Sequence, residues 1–211
     1  MTGNKEDYLK AIYELGGRSK KISNKDIAER LNVSAPSVSE MVKKLLKEGY
    51  VEYTVYQGVS LTEYGVEEAM KIRRRHLLWE VFLVKKLGYS WDEVDEEAEI
   101  LEHVTSPKLE SSLDRYLGYP KFCPHGTPIS KDKDYILNQR PLNILTIGDR
   151  GIIKRISDIK ELLQYLSHIG LNIGDYIEVV DIEPVKGDIL IRKDNMDIRV
   201  KDEFAEKIYV E

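Results

Sequence analysis

From Leu142 onward the hydrophobic period of this chain changes, and that change limits what its 211 residues can fold into. Before it, apolar residues recur three and four apart, the spacing of one helix face. After it they alternate or run in short stretches between glycines, at 142–147, 152–156, 176–182, 188–191 and 197–200. A single segment of helical period, 158–167, interrupts them. Helices followed by five short strands imply a mainly α chain with a small β part, ending in an SH3-like β-barrel. That barrel carries no obvious catalytic constellation.

The first sixty residues are more specific. Tyr8, Leu9, Ile12, Tyr13 and Leu15 form one helix stripe, with Asn4 as the expected N-cap, Asp7 in the first turn and Gly16-Gly17 as the stop. Ser23 and Asp26 are spaced as a capping box for a short second helix carrying Ile27, Ala28 and Leu31. Asn32-Val33-Ser34 makes a tight turn, and Ser34 or Ala35 opens a third helix that tolerates Pro36 in its first turn. Val38, Met41, Val42, Leu45 and Leu46 are its expected buried stripe, and Gly49 closes it. Residues 50–53 and 59–61 then alternate as strands around Gln57-Gly58. Short helix, turn, longer helix and hairpin is a winged helix-turn-helix, a DNA-reading device. The candidate contacts are Ser34, Ala35 and Pro36 at the start of the third helix and Ser37, Ser39, Glu40, Lys43 and Lys44 on its outer face. Small hydroxyls suit close approach to bases, and lysines suit phosphates.

Thr62 caps a long helix reaching about Leu87. Its run Lys71, Arg73, Arg74, Arg75 is read as solvated, with contact to a DNA backbone as the alternative, and His76 and Glu80 follow at helical spacing. Gly88-Tyr89 breaks it, and Ser90 with Glu93 opens the next helix, whose apolar side is Val94, Ala98, Ile100, Leu101 and Val104. In that helix Glu99, Glu102 and His103 stand at i, i+3 and i+4, so two carboxylates and an imidazole share a face and can hold a divalent cation. Pro107 starts one more helix, lined by Leu109, Leu113, Tyr116 and Leu117. Two amphipathic helices without evident cover predict a homodimer interface. The organisation expected is 1–62 winged helix-turn-helix, 63–118 helical dimerisation and metal-binding domain, 119–141 linker and 142–211 SH3-like domain. Within the linker, Cys123 and His125 stand two apart and can both reach one metal.

Composition narrows the setting. A net charge of -5 argues against nucleic-acid binding by bulk charge, though not against a local basic face. One cysteine excludes an intrachain disulfide framework and fits a reducing compartment. No signal-peptide pattern opens the chain and no apolar run is long enough to span a bilayer, so a cytoplasmic protein without a membrane partner is expected.

Taken in order, residues 7–15, 27–31, 75–80, 97–106 and 123–129 carry a resemblance. The chain resembles the diphtheria toxin repressor family of metal-dependent transcriptional repressors, most closely its manganese-transport-repressor (MntR-like) branch. That resemblance implies a homodimeric, Mn(II)-activated repressor of metal-uptake genes that binds double-stranded operator DNA. It implies a primary metal site at Asp7, His76, Glu99, Glu102 and His103. It also implies a second site at Glu80, Cys123, His125 and a carboxylate from the C-terminal module, Asp158 or, failing that, Glu161. Iron-responsive relatives carry Met and Cys where this chain has Asp7 and Glu99; hard carboxylates there favour Mn(II) over softer metals. Lys10 stands where two-ion manganese sensors carry a further carboxylate, so a closely spaced ion pair is not expected. Fe(II), Zn(II) or another divalent ion as effector, and a metal-independent winged-helix regulator, are the alternatives. A hydrolase built on Glu99, Glu102 and His103 lacks a separate general base and a nucleophile elbow, so no enzyme is expected.

Overall fold

The computed structural model describes residues 2–129 and 138–211. The chain divides into two compact units: one runs to His76 and includes Glu99–Pro107, the other joins Leu77–Ala98 to Lys108–Glu211.

The first unit opens with α1 (Gly3–Glu14), α2 (Asn24–Leu31) and α3 (Ala35–Lys47), then the hairpin β1 (Val51–Thr54) and β2 (Gly58–Leu61). The Ser23–Asp26 capping box forms in full, Asn32 takes the left-handed conformation at φ 51°, and Ser34 Oγ accepts from the Ser37 amide at α3's start. The α1 cap differs from expectation. The Lys5 and Glu6 amides donate to the Thr2 carbonyl, so the helix begins earlier, Thr2 is its N-cap, and Asn4 lies inside the first turn. Leu9, Ile12, Ile27, Val38, Leu45, Val59 and Ile72 build one core. Leu46 does not join it and is 45% exposed, because it follows Leu45 by about 100° of helix rotation. The wing pairs Val51 with Leu61 and Thr54 with Gly58. Gly58 has φ +110°, and a Cβ there would fall 2.2 Å from the Ile22 carbonyl oxygen, so only glycine fits.

Thr62 caps α4 (Glu63–Phe82) by accepting from the Gly65 amide at 3.0 Å. The boundary between units falls inside this helix, after His76. A widened π-turn, Leu83–Leu87, carries it to Gly88. Next come α5 (Val94–Val104) and α6 (Pro107–Tyr116). The expected apolar side of α5 divides: Val94 and Ala98 are buried, whereas Ile100 and Val104 are 64% and 73% exposed. Ile100 lies two residues past Ala98, about 200° around the helix, and so belongs to another face. On α6, Leu113 is buried while Leu109 and Tyr116 are exposed.

The C-terminal part is a six-stranded antiparallel sheet in the order β3-β8-β4-β5-β6-β7. Its strands are β3 (Arg140–Pro141), β4 (Arg150–Ile156), β5 (Tyr176–Ile182), β6 (Ile189–Lys193), β7 (Met196–Val200) and β8 (Ile208–Val210). Helices α7 (Lys160–Ile169) and α8 (Asp202–Ala205) complete it. Ile153, Ile156, Leu162, Leu163, Leu166, Ile177, Ile191 and Ile208 fill the core of this SH3-like module. The stretch 142–147 is not a strand. Leu142–Ile144 is a 3₁₀ turn, which puts Leu142 and Leu145, three apart, into the core together; a strand would face them oppositely. α7 starts two residues later than the pattern predicts, leaving Asp158 in the preceding loop. Of the expected linker, residues 130–137 lie outside the described residues. Among the described residues, no helix is long and apolar enough to cross a membrane.

Candidate metal centres and reading helix

In the first unit, α1 contributes Glu6, Asp7 and Lys10, and α5 contributes Glu99, Glu102 and His103. Asp7, Glu99, Glu102 and His103 each offer a ligand atom, all within 4.8 Å of one another. The His103 ring is held from both sides, with Nδ1 2.7 Å from Glu6 Oε2 and Nε2 2.8 Å from Asp7 Oδ1. Glu6 is 8% exposed, and its carboxylate on Nδ1 fixes the orientation of the ring, which sets Nε2 toward Asp7. Asp7 Oδ1 is buried and makes no hydrogen bond, so its close approach to Nε2 is a meeting without hydrogen-bond alignment. A buried carboxylate oxygen set against an imidazole nitrogen, with two further carboxylates in reach, is a donor set that fits a hard divalent cation. Burial raises the Asp7 carboxyl above its ordinary pKa; His103 opposes the rise, and Glu99 and Glu102 add to it.

His76 stands outside this four-residue group. Its Nδ1 lies 2.7 Å from Glu102 Oε2, 3.3 Å from Lys10 Nζ and 3.7 Å from Glu99 Oε2. Lys10 reaches the same carboxylates, donating to Glu102 Oε1 and Oε2 at 3.0 and 2.9 Å and pairing with Glu99. Burial pulls the Lys10 pKa down, but Glu102 and Glu99 outweigh it and hold the ammonium above the usual lysine range. Arg75 is not simply solvated, since Nη1 donates to the Glu102 carbonyl oxygen at 2.9 Å and ties α4 to α5.

The second unit holds Glu80, Cys123 and His125, all buried, with ligand atoms within 4.8 Å of one another. A tight turn carries the last two: the Gly126 amide donates to the Cys123 carbonyl, and the His125 carbonyl accepts from the Ile156 amide on β4. Gly126, at φ +79°, lies so close to β4 that a Cβ would sit 1.9 Å from the Lys154 carbonyl oxygen. His125 Nε2 donates to the Trp91 carbonyl at 2.8 Å. Nδ1 therefore faces Glu80 Oε2 at 3.2 Å, Cys123 Sγ at 3.9 Å and Asp158 Oδ2 at 3.8 Å. Glu161, the fallback, is not among the clustered groups. Burial, then the Glu80 carboxylate, pushes the Cys123 thiol up to about 11. Burial works against charge on His125, but its hydrogen bonds to Cys123 and Glu80 outweigh that and raise its pKa. Sulfur, imidazole and carboxylate together make a softer donor set than the first centre's.

On α3, Ala35, Pro36, Ser37, Glu40, Lys43 and Lys44 are exposed. Ser34 is committed to the cap, and its Oγ lies 2.8 Å from that of Ser37. Ser39 is half-buried, accepting from Asn24 Nδ2 and donating to the Ala35 carbonyl. Lys44 pairs with Glu40 one turn back, at 2.8 Å.

Three family models cover most of the chain: the iron dependent repressor N-terminal DNA binding domain over residues 1–59, the iron dependent repressor metal binding and dimerisation domain over 62–131, and the FeoA domain over 140–211. The structure of the manganese regulator SloR is 43% identical with a TM-score of 0.82, covering 100% of this chain and 99% of that one. A manganese-dependent transcriptional repressor in complex with manganese is 37% identical with a TM-score of 0.88, covering 98% of both chains. The diphtheria toxin repressor of Corynebacterium efficiens is 29% identical over 219 residues, 98% of this chain and 94% of that protein. The chain belongs to the diphtheria toxin repressor family. It is a metal-dependent transcriptional repressor, DNA-binding and dimeric.

Two residues of the repressor's first centre escaped pattern reading. Glu6 precedes Asp7 and shows no periodic signal; its role depends on α5 packing against α1. Lys10, three residues past Asp7 on the same face, is conspicuous by charge, but its pairing with Glu99 and Glu102 depends on the tertiary fold. The Trp91 carbonyl that fixes His125 is a backbone group and carries no side-chain signal at all.

Proposed function

We propose that this chain is a Mn(II)-activated repressor of metal-uptake genes, acting in the cytoplasm and without enzymatic activity. The reading rests on one observation: Asp7 of α1 and Glu99, Glu102 and His103 of α5 bring four ligand atoms within 4.8 Å of one another. These four would hold the ion together with His76, whose Nδ1 lies 2.7 Å from Glu102 Oε2 and 3.7 Å from Glu99 Oε2. Bound there, a divalent cation supplies the positive charge that lets three carboxylates converge. Asp7 then ties the DNA-reading helices to α5, and fixing that joint narrows the spacings two α3 helices can adopt in a dimer. Successive major grooves require about 34 Å. The residues select one arrangement from several, a coupling of about 1–3 kcal/mol. Ile100 and Val104 of α5, exposed, supply apolar surface for the dimer. The proposed organisation is 1–62 reading head, 63–118 dimerisation and metal domain, 119–141 linker and 142–211 SH3-like domain.

Base contact is assigned to Ala35, Pro36 and Ser37, with Ser34 and Ser39 shaping the helix start and Glu40, Lys43 and Lys44 flanking it. Glu80, Cys123, His125 and Asp158 form a second, separate ion site. The deciding test is operator binding by gel shift, titrated separately with Mn(II), Fe(II) and Zn(II). Mn(II) should stimulate binding at the lowest free ion concentration. Asp7→Ala and Glu99→Ala should each abolish the stimulation while size-exclusion still reports a dimer. Undiminished Mn(II) dependence in either variant would refute the primary site, and full operator binding in chelator would point to a metal-independent regulator.

A further inference from the structure

The first centre contains a cation of its own. Lys10 leaves α1 with its side chain 7% exposed, and its ammonium contacts both oxygens of Glu102, an oxygen of Glu99 and Nδ1 of His76. Glu102 is fully buried and Glu99 is 41% exposed, so the ammonium sits at the closed end of the cluster while Glu99 retains access to water.

We propose that Lys10 is a tethered cation that competes with the divalent effector for Glu99 and Glu102, and so sets the ion concentration at which the repressor responds. The inference rests on the primary site of the preceding section. Its sign does not depend on what the side chain does when an ion arrives. If the ammonium stays, its charge repels the ion from the carboxylates they share. If it swings out, its pairs with Glu102 and Glu99 break first. Either way affinity is lowered, and removing the charge raises it. A sensor gains from this, since a centre that bound too tightly would be filled at any ion level. A purely structural ion pair behaves differently: its loss weakens the metal-free fold but leaves ion affinity unchanged or reduced.

The test uses the full-length dimer and Mn(II) alone, read by calorimetry and by the EPR signal of free Mn(II). The primary ion is defined as the one lost in Glu99→Ala. Lys10→Met should tighten that ion at least tenfold, and Lys10→Arg, which keeps the charge, should stay within threefold of wild type. In chelator, Lys10→Met should melt below wild type, and Mn(II) should raise its Tm by more. Lys10→Gln is the second neutral variant, should Lys10→Met fail to fold. An unchanged or weaker Kd in the folded neutral variant, alongside a lowered metal-free Tm, overturns the proposal and leaves Lys10 a structural residue. An ion whose binding ignores Glu99→Ala instead overturns the primary site, so the two failures are distinguishable.

Discussion

Glu102 and Glu80 are both buried carboxylates, 0% and 1% exposed, yet their partners differ in kind. Glu102 faces Lys10, whose charge its neighbours reinforce, together with His76 and the Arg75 guanidinium on its carbonyl. Glu80 faces an imidazole and a thiol, whose charges depend on bound protons. The first centre therefore balances its carboxylates with a fixed cation and leaves Asp7 and Glu99 partly open to water. The second balances its carboxylate with protons and is closed around Glu80, Cys123 and His125. Losing a fixed cation's partner strands a charge, whereas losing a proton-dependent partner lets the remaining group neutralise.

The largest expected effect follows from that difference. Glu102→Ala leaves the Lys10 ammonium buried beside the half-exposed Glu99 alone, and removing one partner of a buried pair costs about 3–5 kcal/mol. Glu80→Ala should cost less, about 1–3 kcal/mol, because His125 can shed its proton and become an ordinary buried imidazole bonded to the Trp91 carbonyl. Urea unfolding of both variants in chelator checks this, and equal losses would erase the distinction.

Next in size is pH. A metal takes cysteine as thiolate and the His125 Nδ1 without its proton. The Cys123 pKa is raised to about 11 and that of His125 is raised too, so at neutral pH both hold protons that ligation must release. Affinity at the second centre should therefore fall as pH falls, by up to about 100-fold per unit for two protons. Calorimetry in buffers of different ionisation enthalpy counts them. The Lys10 charge persists through the same range, so the first centre's counter-ion does not titrate away.

A smaller effect is expected at Glu6. Its carboxylate fixes the His103 ring, and loss of such a partner costs about 10–100-fold in metal affinity. Glu6→Ala should weaken Mn(II) by that factor with the dimer intact; affinity within twofold of wild type would make Glu6 a packing residue.

The two centres were also unequally legible in the sequence. Glu99, Glu102 and His103 share a face by helical spacing alone, so their convergence was readable before any fold. The winged helix was readable for the same reason, because the Ser23 and Ser34 caps and the wing hairpin are local signals. What local pattern could not supply was whatever tertiary contact decides. Examples are the Lys10 pairing, the outward turn of Ile100 and Val104, and the 3₁₀ turn at Leu142, where burial three residues apart overrode a strand-like run. The short strands β3 and β8 are too brief to carry a period, and the sheet recruits them by pairing Pro141 with Tyr209 and Ile156 with Ile208.

The smallest expected effect tests whether the two centres act separately. The four clustered ligands of the first centre lie in one compact unit, and Glu80, Cys123 and His125 of the second lie in the other. Cys123→Ser with His125→Ala should therefore lower the Mn(II) count by one per chain and leave the ion that Glu99 holds. Operator binding should remain Mn(II)-stimulated, with its midpoint shifted no more than about tenfold, or 1.4 kcal/mol. Complete loss of stimulation would mean that the buried cluster is required for switching, and the contrast would become one of division of labour within a single switch. An unchanged ion count would mean that the thiol and imidazole form a hydrogen-bonded brace for the 123–126 turn, with Glu80 as their acceptor.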